Sequence, residues 1–311
     1  MSASGILNQY RKYLSDSKAF SLHTVTNYMS DLCQFLRYAE IQESDFNRAT
    51  CRSIDESMLL SFIYHLHKQG LDASSQSRKV SALKLFFTWA MQHGYGSGNP
   101  SHCLKAPKLS KKLPEVPNQR QLAQFFEDSA LSDFPYQDRD LTIFELLYGS
   151  GLRVSELTAL NWSDVDPRIR EIRVLDGKGG KDRWVPMGQV AAQALSLYRS
   201  KSYEQLKNQH SEDALFLNHR GRRLRTRGVH YILKMYMRIQ TQGLDLSAHS
   251  FRHGFATHLL DEGADLRSIQ QMLGHRQLTS TEKYTKVSMS KLKQVYRNAH
   301  PRSKRKDHDE R

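Results

Sequence analysis

The stretch from Lys105 to Pro117, KAPKLSKKLPEVP, constrains the fold more than any other part of this chain. Its three prolines lack the amide hydrogen that a helix needs, and its four lysines repel one another, so no regular element runs through it. It divides the 311 residues into a first domain over residues 1–105, a basic linker over 106–117 and a second domain over 118–311. The linker lysines either follow a phosphate backbone or form a plain solvated connection.

The two sides differ in texture. Before the linker, apolar residues recur at helical spacing: Val25, Tyr28, Leu32 and Phe35; Leu59, Phe62, Ile63 and Leu66; Val80, Leu83, Phe87 and Ala90. Ser21 and Asp55 are placed to cap helix starts, and Gly70 and Gly94 to end helices. With Ile6 to Leu14, the pattern predicts a bundle of four or five helices. After the linker, helices are expected around Gln119–Phe126, Asp140–Tyr148, Val229–Ile239, His253–Glu262 and Leu266–Leu273. Arg170–Met187 alternates in the manner of strands around a glycine-rich break, which predicts a β-hairpin.

Lys and Arg number 46 against 32 acids, a net charge of +14, which favours a polyanionic partner over an ordinary basic enzyme. No apolar run is long enough to span a membrane, and the N-terminal residues lack the pattern of a secretory signal. Cys33, Cys51 and Cys103 have neither zinc-site nor disulfide-framework spacing, so free thiols in a reducing cytoplasm are expected.

Three phrases carry the chemistry: GSGLRVSEL (Gly149 to Leu157), AHSFRHGFATHLL (Ala248 to Leu260) and LGHRQLTSTEKY (Leu273 to Tyr284). Cutting a phosphodiester with a side chain requires a nucleophile, cations for the added negative charge and an acid for the leaving oxygen. Arginine offers a planar, permanently charged fork that matches two phosphate oxygens. Arg153 follows the break Gly149-Ser150-Gly151 and so stands at a helix start, which itself favours phosphate. Arg252 stands near the start of another helix, and two arginines from separate elements can clamp one phosphate. Glu156 shares a helix face with Arg153, where it either orients that arginine or forms a solvated pair. His249 and His275 can hydrogen-bond phosphate oxygens, and one can assist proton removal. Tyr284 follows Thr279-Ser280-Thr281, a helix-start signal. A phenol with a pKa of about 10 needs cationic neighbours to act as a nucleophile. Lys178 lies on the glycine-rich turn, with Lys181 and Arg183 as nearby competitors. His249, His253 and His258 invite a metal reading, but no glutamate stands between them and Arg252 would repel a dication. No metal is expected, and His253 and His258 read as structural.

Arg153, Lys178, His249, Arg252, His275 and Tyr284 occur in that order, with His249 three residues before Arg252 and His275 nine before Tyr284. This resembles the pattern of the tyrosine recombinases, the phage integrase family, and within them the Xer subfamily. The resemblance covers nearly the whole chain. It implies a mainly α, two-domain C-shaped clamp around duplex DNA: an N-terminal helical bundle (a SAM-like core-binding domain) and a mixed α/β catalytic domain with a small β-hairpin. It implies that Tyr284 attacks a scissile phosphate to give a 3′-phosphotyrosyl bond and that Lys178 protonates the departing 5′ oxygen. Strand exchange then passes through a Holliday junction, with no cofactor and no metal. The implied partners are a dif-type chromosomal site, a XerD-like recombinase in a heterotetramer and an FtsK-like septal DNA translocase, acting in chromosome dimer resolution. Gly254 departs from the family, whose Xer members commonly carry Ser there, at what is expected to be a backbone-contact position.

Arg78, Lys79 and Lys84 are expected to give the bundle a basic DNA-contacting edge. Lys181, Arg183, Arg222, Arg223, Arg225 and Arg227 are expected to do so for the catalytic domain. The alternative for each is a solvated charged face. Leu292, Val295, Tyr296 and Ala299 form one apolar stripe on a helix too short to be stable alone. Its own domain is one possible surface; the resemblance implies a neighbouring subunit instead. The other functions the sequence leaves open are a phage or mobile-element integrase, a type IB topoisomerase-like enzyme and a non-catalytic DNA-binding regulator.

Overall fold

The computed structural model describes residues 5–107, 116–127, 134–175, 182–239, 246–274 and 288–303. Lys178, Lys181, His275 and Tyr284, and most of the linker, lie outside the described residues. The chain divides into two compact units, Met1–Lys112 and Leu113–Arg311.

The N-terminal unit holds α1 (Gly5–Lys12), α2 (Leu22–Tyr38), α3 (Arg48–Ser53), α4 (Glu56–Lys68) and α5 (Ala73–Gln92). The Ser21 hydroxyl accepts from the amide of Thr24 to open α2, and Asp55 accepts from Met58 to open α4. Gly70 and Gly94, both at φ +72°, end α4 and α5 in the left-handed region that glycine enters without a steric penalty. The apolar stripes meet in a core where Phe35 meets Phe62 edge-on at 5.4 Å and Phe86 meets Phe87 at 5.1 Å.

The expected basic edge of this unit needs one correction. Lys79 is buried, and its ammonium donates to Asp31 Oδ1 at 2.7 Å and to Gln34 Oε1 at 2.5 Å. Arg78 donates to the other Asp31 oxygen, and Asp31 is itself buried. A charge inside a bundle must be paired, and Lys79 is committed to that pairing. Lys84 remains exposed.

The C-terminal unit is organised around α7 (Gln137–Gly149), which follows α6 (Gln119–Glu127) and is buried continuously from Arg139 to Gly149 except for partly exposed Leu141. α8 (Val154–Ala159), α9 (Gln189–Tyr198) and α12 (Ala248–Asp261) contact it. A burial so complete forces polar groups into pairs. Arg139 donates to Asp140 and to the Leu217 carbonyl. Burial raises the Asp140 carboxyl to about 6 despite the opposing pull of Arg139.

The expected hairpin is present. β2 (Glu171–Val174) and β3 (Arg183–Pro186) pair antiparallel, with Ile172 opposite Val185 and Arg173 opposite Trp184. A two-residue β1 (Val165–Asp166) extends the sheet in the order β1-β2-β3. The remaining elements are α10 (Glu204–Leu206), α11 (Thr226–Ile239), α13 (Leu266–Leu273) and α14 (Met289–Ala299).

α14 corrects the docking expectation. Leu292, Tyr296 and Ala299 are buried and Val295 is partly buried, all against the core of their own C-terminal unit, where α14 meets β3, α12 and α13. Lys293 pairs with Glu171 of β2 at 2.6 Å, and Arg302 beyond the helix pairs with buried Glu145 of α7. The stripe is the face this domain needs to close its own core. Among the described residues, no helix is long and apolar enough to cross a membrane.

Candidate active site

The site begins at the break after α7. Gly151 has φ +59°, and a Cβ there would lie 2.5 Å from the Phe255 ring, so the turn requires glycine on both counts. The Ser150 hydroxyl donates to the Pro186 carbonyl at 3.1 Å, tying the turn to β3. This places Arg153 at the N-cap of α8 with 46% of its side chain exposed.

Glu156 is the hub. Its Oε2 accepts from the Arg153 amide at 2.8 Å, and its Oε1 accepts from the Arg153 guanidinium at 2.7 Å. Arg183 of β3 grips both oxygens, at 3.0 and 2.9 Å. The Arg252 guanidinium stands 3.6 Å from Oε2. Burial acts to raise the Glu156 carboxyl, but the Arg183 bonds, with those from Arg153, overcome it and hold the group below its usual range. One carboxylate therefore faces three guanidiniums, and the surplus positive charge is open at Arg153.

Arg252 lies in the second turn of α12, whose start is earlier than the expected position. The helix begins at Ala248, because Ser247 and Ser250 form a reciprocal cap. Arg252 is buried and donates to the Gly151 carbonyl and, at 2.6 Å, to the Leu273 carbonyl. Burial first, then repulsion from Arg153, lowers its guanidinium to about 10. Two of its five N–H groups hold backbone. These bonds join the turn that carries Arg153 to the end of α13, which immediately precedes Gly274-His275 in the sequence. His249 is exposed in the first turn of α12, one turn before Arg252.

The structure thus brings Arg153, Glu156 and Arg252 together, with His249 on the same helix as Arg252. It places other expected contact residues elsewhere. Arg183 is not a free DNA-facing group: it faces inward onto Glu156, and its Nε donates to the Met272 carbonyl at 2.9 Å. Arg223 donates to the carbonyls of Thr158, Ala159 and Leu160, at 3.3, 3.1 and 2.9 Å, so it caps the C-terminus of α8. Arg222, Arg225 and Arg227 are exposed. Gly254 is buried, and a Cβ there would meet Leu122 and Tyr148 at ordinary distances of 3.5 and 3.7 Å, so the position packs the core. His258 is also structural: its Nδ1 shares a hydrogen bond of 2.9 Å with the Tyr148 hydroxyl, and burial lowers its pKa. No group of three or more potential metal ligands occurs among the described residues.

A cluster of guanidiniums at a helix start, with one carboxylate beneath it, suits the binding of an anion such as a phosphate diester. Residues 118–291 match the model of the phage integrase family, and residues 7–94 match the phage integrase N-terminal SAM-like domain. The chain belongs to the phage integrase family of tyrosine recombinases. Its relatives place it with the Xer subfamily, and it is XerC-like. It is 37% identical over 310 residues to the tyrosine recombinase XerC of Myxococcus xanthus, covering 97% of this chain and 99% of that one. It is 36% identical over 299 residues to XerC of Bacillus subtilis (95% and 96%). It is 34% identical over 297 residues to XerD of Halalkalibacterium halodurans (96% and 98%). The fold is shared with a lambda integrase dimer bound to a COC′ core site, at TM-score 0.62 and 19% identity over 91% of this chain and 98% of that one.

Proposed function

We propose that this chain is a XerC-type site-specific recombinase acting on duplex DNA, and that Arg153, Lys178, His249, Arg252, His275 and Tyr284 carry its chemistry. The observation that carries the reading is the convergence of Arg153 and Arg252 on Glu156. The two arginines hold the nonbridging oxygens of the scissile phosphate, and the histidines add hydrogen bonds. The Tyr284 oxygen attacks phosphorus and gives up its proton, one of the histidines assisting. The bond from phosphorus to the 5′ oxygen breaks, and Lys178 supplies the proton that the 5′ oxygen takes. The product is a 3′-phosphotyrosyl bond and a free 5′ hydroxyl. A 5′ hydroxyl from the partner strand then reverses the step, so the energy of the phosphodiester is kept and neither ATP nor a metal is consumed. Exposed Lys84, Arg222, Arg225 and Arg227 hold the DNA backbone. A dif-type site, a XerD-like partner in a heterotetramer, an FtsK-like translocase and a cytoplasmic setting fit the likeness to XerC and XerD.

The experiment is covalent trapping on a nicked duplex carrying a candidate site. Wild type is expected to yield a protein–DNA adduct on a denaturing gel. Tyr284→Phe is expected to bind with unchanged affinity and yield none. An adduct retained in that variant overturns the assignment.

A further inference from the structure

Arg183 has no role in the mechanism above, yet it is among the most heavily bonded side chains of the catalytic unit. It leaves β3, the strand that follows the turn carrying Lys178, and reaches both oxygens of Glu156 at 3.0 and 2.9 Å. Its Nε donates to the Met272 carbonyl at 2.9 Å, one of the carbonyls left open at the end of α13. Arg252 takes the next one, Leu273. Gly274 then turns the chain at φ +66°, and a Cβ on it would lie 2.9 Å from the Arg183 guanidinium. The planar fork fits this task and an ammonium does not: two parallel N–H groups meet the carboxylate while a third, on the other side, meets the carbonyl.

We infer that Arg183 is a positioning residue of the recombination site, acting through Glu156 to aim Arg153 and through the end of α13 to fix the turn before His275. The inference rests on the recombinase reading above. Without Arg183, Glu156 keeps Arg153 as its main partner and draws that guanidinium from the phosphate toward itself. The end of α13 also loses one of its two guanidinium caps. Arg183 touches no reacting atom on this account, and it is not a DNA contact. Its removal should therefore slow chemistry and leave binding alone.

The test measures single-turnover adduct formation with saturating enzyme, alongside DNA affinity across a salt series. Arg183→Ala is expected to lower the rate constant about 10- to 100-fold, the range for losing one aligned group. Its DNA affinity should stay within about threefold of wild type, with the slope of log affinity against log salt unchanged; a direct phosphate contact would lower that slope by about one. Millimolar guanidinium is expected to recover part of the rate of Arg183→Ala, and Arg183→Lys should recover little. Arg183→Ala and Glu156→Gln combined should slow the reaction by less than the product of the two single effects, because the two residues share the route through Glu156. A parallel titration with DNA in excess counts active molecules by the adduct amplitude, so a variant that misfolds loses amplitude there rather than rate. A wild-type rate constant in Arg183→Ala, a reduced salt slope, or multiplied effects in the double variant would each overturn the inference. If wild type forms no Tyr284-dependent adduct at all, it is the recombinase reading that fails.

Discussion

Each unit of this molecule gathers cations around one acid, and the two gatherings differ in kind. In the N-terminal unit, Asp31 is buried beneath Arg78 and Lys79, with 2% of the Asp31 side chain, 9% of the Lys79 side chain and 39% of the Arg78 side chain exposed. In the catalytic unit, Glu156 faces Arg153, Arg183 and Arg252, and Arg153 stays 46% exposed. The first cluster spends its charge on holding helices together. The second leaves positive charge directed outward at a helix start. What separates the two is that the second sets three guanidiniums against one carboxylate at the start of a helix, whose amide hydrogens also favour a phosphate.

The largest expected effect lies at the open cluster. Arg153→Ala should lower the rate of adduct formation about 100- to 1,000-fold, with DNA affinity reduced by one phosphate contact, a drop of about 0.9 in the salt slope. Rate and salt slope unchanged together would make Arg153 a surface residue and erase the contrast. The N-terminal cluster should answer differently. Lys79→Ala leaves Asp31 with one partner and should cost about 2–3 kcal/mol of stability in chemical denaturation, with the salt slope and cleavage rate constant of the folded protein unchanged. A reduced salt slope would return Lys79 to the DNA-contacting edge.

Leu292→Ala should destabilise the catalytic unit by about 2–4 kcal/mol at any protein concentration, because its own domain covers α14. A loss seen only at high concentration would point to docking on a second subunit. The smallest effect is in pH. Glu156 titrates below its usual value in the folded protein, so its stabilisation is present above the unfolded value and fades as pH falls through the folded one. Glu156→Gln should therefore show a smaller fall in Tm between pH 7 and pH 4 than wild type. Parallel falls would mean that the carboxylate gains nothing from its arginines.

The same contrast explains what was legible in the sequence. Spacing carries information along the chain, so the helical stripes, the caps at Ser21 and Asp55, the hairpin and the Arg153–Glu156 pair could all be read directly. Partners distant in sequence could not. Lys79 looks like any surface lysine until the fold brings Asp31, 48 residues away, beside it. Arg183 is 27 residues from Glu156, and Arg223 reaches back 63 residues to the Leu160 carbonyl. An isolated cation in the sequence is equally suited to a phosphate, a carboxylate or a helix end, and only the tertiary structure decides among them. The early start of α12 did have a local signal, the serines at 247 and 250. β1, at two residues, is too short to show a period. The α14 stripe showed that something must cover it, but amphipathicity alone does not identify the covering surface.

The central claim is that the open arginine cluster presents a phosphate to Tyr284. It is tested most directly by trapping the wild-type adduct on a nicked site, trimming the DNA with nuclease and mapping the modified peptide by mass spectrometry. The account predicts a nucleotide joined through its 3′ phosphate to the peptide that contains Tyr284, and to no other tyrosine. A 5′ linkage, a different modified residue, or no adduct on a site that the protein binds would contradict it.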